Sequence, residues 1–155
     1  MFSKEILIGT KISCGVNRTV DIGDLSLLNS FLWLIQPIHV DAEYAKQSFS
    51  GERNLAAPAI LAVADGLVHV RGGLNELLEK HGKEIIAYVG IDGVRFTLPV
   101  LSGDTLRADV EVIEVRPTKN PVRSVLSYKN KTYNQRNGLV VEYTSRILIG
   151  EVNKQ

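Results

Sequence analysis

The stretch Gln36-Pro37-Ile38-His39-Val40-Asp41 holds the residue best suited to chemistry, the histidine. Imidazole gains and loses a proton in the physiological pH range, so histidine suits acid–base catalysis. Pro37 limits how far a helix before it can run, and Asp41 can cap a second short helix through about Gln47. His39 therefore lies at a loop-to-helix junction, where it either takes part in catalysis or only hydrogen-bonds the backbone.

A second candidate pair is Asp65 and His69, which lie four residues apart on a predicted helix, where side chains meet. They form either a catalytic or metal-binding pair or, as we favour, a satisfied polar contact near the end of that helix. His81 precedes Gly82, and a cation there suits the end of a helix. No two histidines have the spacing of metal ligands, so we predict no metal site.

The composition excludes several classes of protein. The chain has 155 residues, 45% hydrophobic and 23% charged, with a net charge of +1, which is typical of one soluble globular domain spanning 1–155. Because no basic stripe is present, we expect no nucleic-acid partner. The longest apolar run, 55–64, is far shorter than the roughly 20 residues that a membrane-spanning helix needs.

Cys14 is the single cysteine, and a lone cysteine cannot form an internal disulfide. This fits a reducing compartment, and the N-terminus lacks the layout of a signal peptide, so we expect a cytoplasmic protein. No histidine motif frames Cys14, which argues against a nucleophile.

The first half of the sequence is predicted to be mainly helix and loop. A short strand is expected at 18–22, followed by a helix from Leu25 to Trp33 that Asp24 caps. The apolar positions of that helix are three and four residues apart, and its polar stripe consists of Ser26, Asn29 and Ser30. Pro58 suits the start of a third helix, whose run 59–64 is apolar all round and therefore predicts a buried helix. The glycine pair Gly72-Gly73 is expected to end that helix, and a short amphipathic helix is expected to follow at 74–81.

The second half is predicted to form strands. They are expected at 85–91, with a hairpin turn or a bulge at Asp92-Gly93 and an extension to Phe96, and then at 106–115, 123–133 and 139–149. The segment 106–115 alternates closely between apolar and polar residues. Each strand has one apolar face to cover, and an antiparallel sheet curled around the buried helix covers them all. This is an α+β arrangement, the hot-dog fold.

Several segments, in order along nearly the whole chain, resemble the MaoC-like dehydratase family, which includes (R)-specific enoyl-CoA hydratases. They are Arg18-Thr19-Val20, Pro37-Ile38-His39-Val40-Asp41-Ala42-Glu43-Tyr44-Ala45, Ala57-Pro58-Ala59-Ile60-Leu61, Phe96-Thr97-Leu98-Pro99-Val100 with Ser102-Gly103-Asp104-Thr105-Leu106, and Tyr133-Asn134-Gln135-Arg136-Asn137-Gly138. The resemblance implies a pocket for acyl-CoA or acyl-carrier thioesters. It implies no cofactor.

The resemblance also implies roles for single residues. Family members use an aspartate and a histidine five residues later to hold a water, with an asparagine between them. His39 takes the position of the catalytic histidine, Gln36 that of the asparagine, and Leu34 that of the aspartate. The thioester carbonyl is expected at the start of the central helix, which makes Pro58, Ala59 and Ile60 the expected substrate-binding residues.

Three functions remain open at this point. The first is hydration or dehydration of an enoyl thioester. The second is a non-catalytic partner subunit of a heteromeric hydratase, because leucine at position 34 cannot accept a proton. The third is an acyl-CoA thioesterase, for which Asp65 is the acidic residue that the central helix offers. Each predicts a homodimer or heterodimer of hot-dog subunits, because a sheet around one helix leaves free edges.

Overall fold

A computed structural model describes residue 6 and residues 8–152 of the chain. The elements follow in chain order: β1 (Lys11–Ser13), β2 (Arg18–Thr19), α1 (Ile22–Phe31), α2 (Pro37–Val40), α3 (Ala42–Lys46), α4 (Ala57–Val68), α5 (Leu74–Lys80), β3 (Lys83–Phe96), β4 (Thr105–Pro117), β5 (Arg123–Tyr133) and β6 (Leu139–Glu151).

The strands form an antiparallel sheet in the order β1-β4-β5-β6-β3, with β2 also paired to β4. The alternation predicted for β4 is confirmed, because its apolar side chains at 106, 108, 110 and 112 are all buried while their neighbours are partly exposed. Asp92-Gly93 lies in an irregularity within β3, so the bulge is confirmed and the hairpin turn is not. These strands and the helix α4 packed on them confirm the α+β hot-dog fold.

Helix α4 carries the central part of the hydrophobic core on one side only. Six of its side chains are buried against the sheet: Ala59, Ile60, Val63, Ala64, Leu67 and Val68. The prediction of a helix buried all round is wrong at Ala62 and Gly66, which are exposed. The sheet of one chain covers only one side of the helix, and the residues at i, i+4 and i+8 from Pro58 remain on the other side.

The start of α1 differs from the prediction. Asp21 caps the helix, and its side chain accepts a hydrogen bond from the Asp24 backbone amide. The Asp24 side chain in turn accepts from the Asp21 amide, which completes a capping box. Aspartate is a favoured N-cap residue, so the local sequence alone does not indicate whether Asp21 or Asp24 caps the helix.

Candidate functional site

Two short helices fix the position of His39. Pro37 begins α2, the helix that carries His39, and the Asp41 amide closes it by donating to the Pro37 carbonyl over 2.9 Å. Asp41 then caps α3 as predicted, because its side chain accepts from the amides of Glu43 and Tyr44. His39 is therefore part of a one-turn helix that the sequence did not predict.

The His39 ring has one nitrogen engaged and one left for chemistry. Its Nδ1 lies 3.1 Å from the Asn54 carbonyl oxygen. A carbonyl only accepts, so Nδ1 donates, and a neutral ring then keeps its lone pair on Nε2. This backbone contact sets the tautomer that a general base needs.

The side chain of Asn29 links α1 by hydrogen bonds to the segments that carry His39 and the start of α4. Its side chain is fully buried, and its Nδ2 donates to the carbonyls of His39 and Asn54 over 3.4 and 3.2 Å. Its Oδ1 accepts from the Ala56 amide at 3.0 Å, immediately before α4. The predicted polar stripe of Ser26, Asn29 and Ser30 is exposed at the two serines, whereas Asn29 is buried. Its burial depends on how α1 packs against the following segments, which helical spacing does not reveal.

A cavity of about 430 Å³ opens where His39 meets the first turn of α4. Its walls are formed by Trp33, Leu34, Ile35, Gln36, His39, Ala56, Ala57 and Pro58. The structure thus brings together four of the predicted positions: Leu34, Gln36, His39 and Pro58. Trp33, Ile35, Ala56 and Ala57 were not predicted, and only the neighbourhood of the motif could have indicated them.

Leu34 shares this cavity with His39, so the aspartate position of the resemblance is occupied by an apolar wall. In the described part of the chain, no carboxylate hydrogen-bonds or ion-pairs with His39. Asp41, two residues further on, uses its side chain for the α3 cap. Any acid–base chemistry in this chain's cavity therefore depends on His39.

The predicted substrate-binding residues divide into two groups. Pro58 is exposed and lines the cavity, whereas the side chains of Ala59 and Ile60 are buried in the core. The Ile60 amide already donates to the Ala56 carbonyl at 2.9 Å. The amides of Ala57 and Ala59 precede this first helical bond and lack an intrahelical carbonyl, as first-turn amides generally do. Backbone rather than side chains would contact a ligand at this helix end.

The second candidate pair lies elsewhere. Asp65 and His69 do meet, with His69 Nε2 at 3.9 Å from Asp65 Oδ2. Asp65 is eight residues beyond Ala57 on α4, about 12 Å along the helix axis at a rise of about 1.5 Å per residue. It therefore cannot serve as the acid beside His39 in the same chain.

The remaining candidates have structural surroundings. Burial, with a further contribution from Asp109, raises the pKa of the Cys14 thiol to about 11, which disfavours the thiolate. The His81 Nδ1 lies 2.8 Å from the Leu77 carbonyl at the end of α5, so His81 stabilises a helix end. Among the described residues, no group of three or more His, Cys, Asp or Glu could hold a metal ion, and none of the described helices could cross a membrane.

Solved structures of similar shape cover the whole described fold. The chain is similar to the monoamine oxidase regulatory protein of Archaeoglobus fulgius, with a TM-score of 0.81 and 30% identity, over 98% of this chain and 95% of that chain. It is similar to R-hydratase PhaJ1 of Pseudomonas aeruginosa, with a TM-score of 0.69 and 25% identity, over 97% and 90% of the two chains.

Sequence comparison identifies the family. The chain is 33% identical to the 3-hydroxyacyl-(acyl-carrier-protein) dehydratase FabZ of Haemophilus influenzae over 102 residues, which are 65% of this chain and 64% of that protein. The match thus spans less than two thirds of that relative. Residues 35–134, well over half of the chain, match the MaoC like domain. The chain belongs to the MaoC-like dehydratase family.

Proposed function

We propose that the chain is a hydro-lyase that adds water to an enoyl thioester, or removes it from a 3-hydroxyacyl thioester. The observation that carries this proposal is the His39 ring, whose Nδ1 is engaged with the Asn54 carbonyl and whose Nε2 is left for a substrate. It lines the same cavity as the first turn of α4. An imidazole beside a helix N-terminus supplies a base next to a binding site for a developing negative charge.

In the direction of dehydration, Nε2 of neutral His39 removes one proton from C2 of the thioester. The electron pair of that bond forms the C2–C3 double bond, and the C3–O bond breaks. The departing oxygen takes the proton back from the imidazolium, so one water is released and the enzyme is unchanged. Hydration is the reverse of these steps.

The first turn of α4 would stabilise the enolate-like charge that develops on the thioester oxygen. The amides of Ala57 and Ala59 lack an intrahelical carbonyl, and the positive end of the helix dipole favours an oxyanion. Pro58, between them, has no backbone N–H, so the amides of Ala57 and Ala59 are the two that would donate to the oxyanion. Gln36 lines the same cavity and can hydrogen-bond the substrate hydroxyl or water.

Leu34 sets the expected rate. A second acid–base residue typically contributes about 10²–10⁴-fold, so a site that relies on His39 is expected to be slower than a paired site by roughly that factor. The packing of Leu34 against the hydrophobic core also leaves the cavity wall apolar on that side.

We also propose that the working form is a dimer made through β3. This strand is at one end of the sheet order, and its outer edge has no partner among the described strands. Ile86, Tyr88 and Val89 on β3 are between 42% and 55% exposed, more than expected for the interior of a long strand. Complexes of unlike chains are known for proteins of similar fold, the ChsH1–ChsH2 and HadBC complexes of Mycobacterium tuberculosis.

The test is an absorbance assay with crotonyl-CoA and longer enoyl-CoA thioesters at high enzyme concentration. We expect a slow loss of the enoyl absorbance that depends on His39, with no release of free thiol. Absence of hydration at every chain length would contradict the proposal for the chain by itself. Release of thiol would instead support a thioesterase, and sedimentation as a monomer would contradict the dimer.

A further inference from the structure

A larger cavity lies beside the His39 cavity, on the other side of Gln36. Its volume is about 620 Å³, against about 430 Å³ for the cavity that His39 lines. It lies between the start of α2 and the C-terminal end of α3, and we refer to it as the α3 cavity. Gln36 lines both cavities, so they adjoin at this side chain. A substrate held at His39 can therefore extend into the α3 cavity.

The walls of the α3 cavity are largely apolar. Pro37 and Ile38 come from α2, and Tyr44 and Phe49 come from α3 and the segment after it. Tyr44 is 55% exposed and Phe49 is 81% exposed. In the part of the chain that the structure describes, neither ring packs against another aromatic ring. Large apolar side chains that are exposed at a cavity are typical of ligand-binding sites.

Among the described residues, no charged side chain lines the α3 cavity. Nearby Lys46 is paired with Glu43 at 2.6 Å. Phosphate groups bind best to arginine and lysine, so this cavity does not suit the charged nucleotide end of a CoA thioester. It suits an uncharged group that contacts the apolar walls and meets three polar residues: Gln36, Gln47 and Ser48.

The proposed reaction indicates which part of the substrate enters this cavity. The thioester oxygen lies at the first turn of α4, and Gln36 hydrogen-bonds the hydroxyl on C3, so the acyl chain beyond C3 continues past Gln36. It cannot turn inward, because Ala59, Ile60 and Val63 fill the inner side of α4 and are at most 8% exposed. The α3 cavity is the open space that adjoins Gln36.

We infer that the α3 cavity binds the acyl group beyond C3, and that the preferred substrate is a thioester whose apolar acyl group has about ten carbons or more. A cavity of about 150 Å³ encloses the six carbons of benzene, so about ten carbons need roughly 250 Å³. This is less than half of the volume of the α3 cavity, about 620 Å³. The inference rests on the proposed thioester function, and it specifies the substrate class for that site.

The experiment measures calorimetric dissociation constants for butanoyl-CoA, octanoyl-CoA and dodecanoyl-CoA, which are saturated and unreactive, at concentrations below micelle formation. We expect dodecanoyl-CoA to bind at least about tenfold more tightly than butanoyl-CoA, because about two fully buried methylene groups account for a factor of that order. Equal binding of the three ligands would overturn the inference and leave the proposed function standing. No binding of any thioester would overturn both.

Two variants locate the acyl group. Phe49→Ala and Tyr44→Ala each remove one aromatic wall, so each should weaken the binding of dodecanoyl-CoA at least about fivefold and leave that of butanoyl-CoA unchanged. Phe31→Ala is the matched control, because Phe31 is 78% exposed on α1 and does not line the α3 cavity. This control should change the affinity for neither ligand.

Three results with these variants would overturn the inference. Unchanged affinity for dodecanoyl-CoA in both variants would mean that the acyl group lies elsewhere. Equal weakening of butanoyl-CoA and dodecanoyl-CoA would place the carrier arm, rather than the acyl group, in the α3 cavity. Sedimentation of Phe49→Ala as a monomer, where the unmodified chain is a dimer, would assign this surface to a second copy of the chain.

Discussion

Two polar regions lie beside α4, one at its start around His39 and one further along around Asp65. At the helix start, His39 has one hydrogen bond from its ring and shares an apolar cavity with Leu34. About two turns further along, the Asp65 carboxylate is surrounded by tyrosine hydroxyls. The base and the carboxylate are both present in the chain, but they are too far apart to share one water.

The region around His39 and the region around Asp65 are suited to different tasks. A ring with a free nitrogen and an apolar neighbour can exchange a proton with a substrate. A carboxylate that already accepts hydrogen bonds from tyrosines on several strands is held rigidly, and it ties α4 to the sheet. The comparison therefore separates the proposed chemistry at His39 from a carboxylate at Asp65 that tyrosines hold in place, and it can be tested in both regions.

Loss of the histidine should have the largest effect. His39→Ala removes the only acid–base group that the cavity of the described chain offers, so the hydration rate with crotonyl-CoA should fall about 10²–10⁴-fold. The control is His81→Ala, because the His81 ring hydrogen-bonds the end of α5 and does not line the cavity, and it should retain the rate. Equal rates for His39→Ala and the unmodified chain would show that the chemistry does not occur at the start of α4.

Removal of the buried support should mainly reduce stability. Asn29→Ala leaves the Ala56 amide and the Asn54 carbonyl without that partner, which should lower the free energy of unfolding by roughly 2–4 kcal/mol. Urea denaturation measures this loss. The exposed Ser26→Ala on the same helix should change the free energy by less than about 0.5 kcal/mol. Similar values for the two variants would mean that Asn29 does not hold α1 to the site.

Restoring a carboxylate beside the histidine should raise activity. Leu34→Asp places an acid in the cavity wall next to His39, and we expect a gain of roughly 10²-fold in the hydration rate, the lower end of what a second acid–base group supplies. Leu27→Asp makes the same change at a side chain on α1 that is 67% exposed, and it should leave the rate unchanged. A gain in both variants would indicate a general charge effect rather than a restored pair.

The tyrosines around Asp65, which are Tyr88, Tyr128 and Tyr143, should have the smallest effect on the free energy of unfolding, and only at high pH. Burial and then the hydrogen bond to Asp65 raise the pKa of Tyr88 to about 12, and burial raises the pKa values of Tyr128 and Tyr143. The neutral phenols are thus favoured in the folded state. Their contribution to stability is complete below the unfolded pKa of about 10 and is lost as the pH rises through 12.

Urea denaturation at pH 9 and pH 11.5 tests this dependence. The unmodified chain should lose stability between the two values, and Tyr88→Phe should lose less, because one raised phenol is gone. Tyr133→Phe, which is not one of these three tyrosines, is the matched control and should lose as much as the unmodified chain. An equal loss in Tyr88→Phe would show that the Tyr88 phenol titrates alike in the folded and unfolded states.

Much of the fold was predictable from local patterns. The strict alternation at 106–112, the strand 123–133 and the Asp41 cap depend on residues close together in the chain, and all three are present in the structure. Errors occurred where two local signals compete or where the decisive contact is distant. Asp21 and Asp24 are both good caps, and the short helix α2 has too few residues to show a helical period.

Less of the candidate site was predictable. The motif indicated His39 and Gln36, and the resemblance placed Pro58 near them, as the cavity shows. The role of Asn29 was missed because its spacing matches that of Ser26 and Ser30, which are exposed. The tyrosines around Asp65 come from three strands far apart in the sequence, so no local pattern connects them.

By itself, the sequence determined the order of the longer helices and strands and the family, and it predicted a histidine, His39, whose expected acid position holds Leu34. These properties depend on residue type and on periods of two or 3.6 residues, which are local. Only the tertiary structure decided which polar groups are buried, which nitrogen of His39 is left for a ligand, and that Asp65 lies apart from it. Burial and hydrogen-bond partners depend on segments that meet only when the sheet closes around α4.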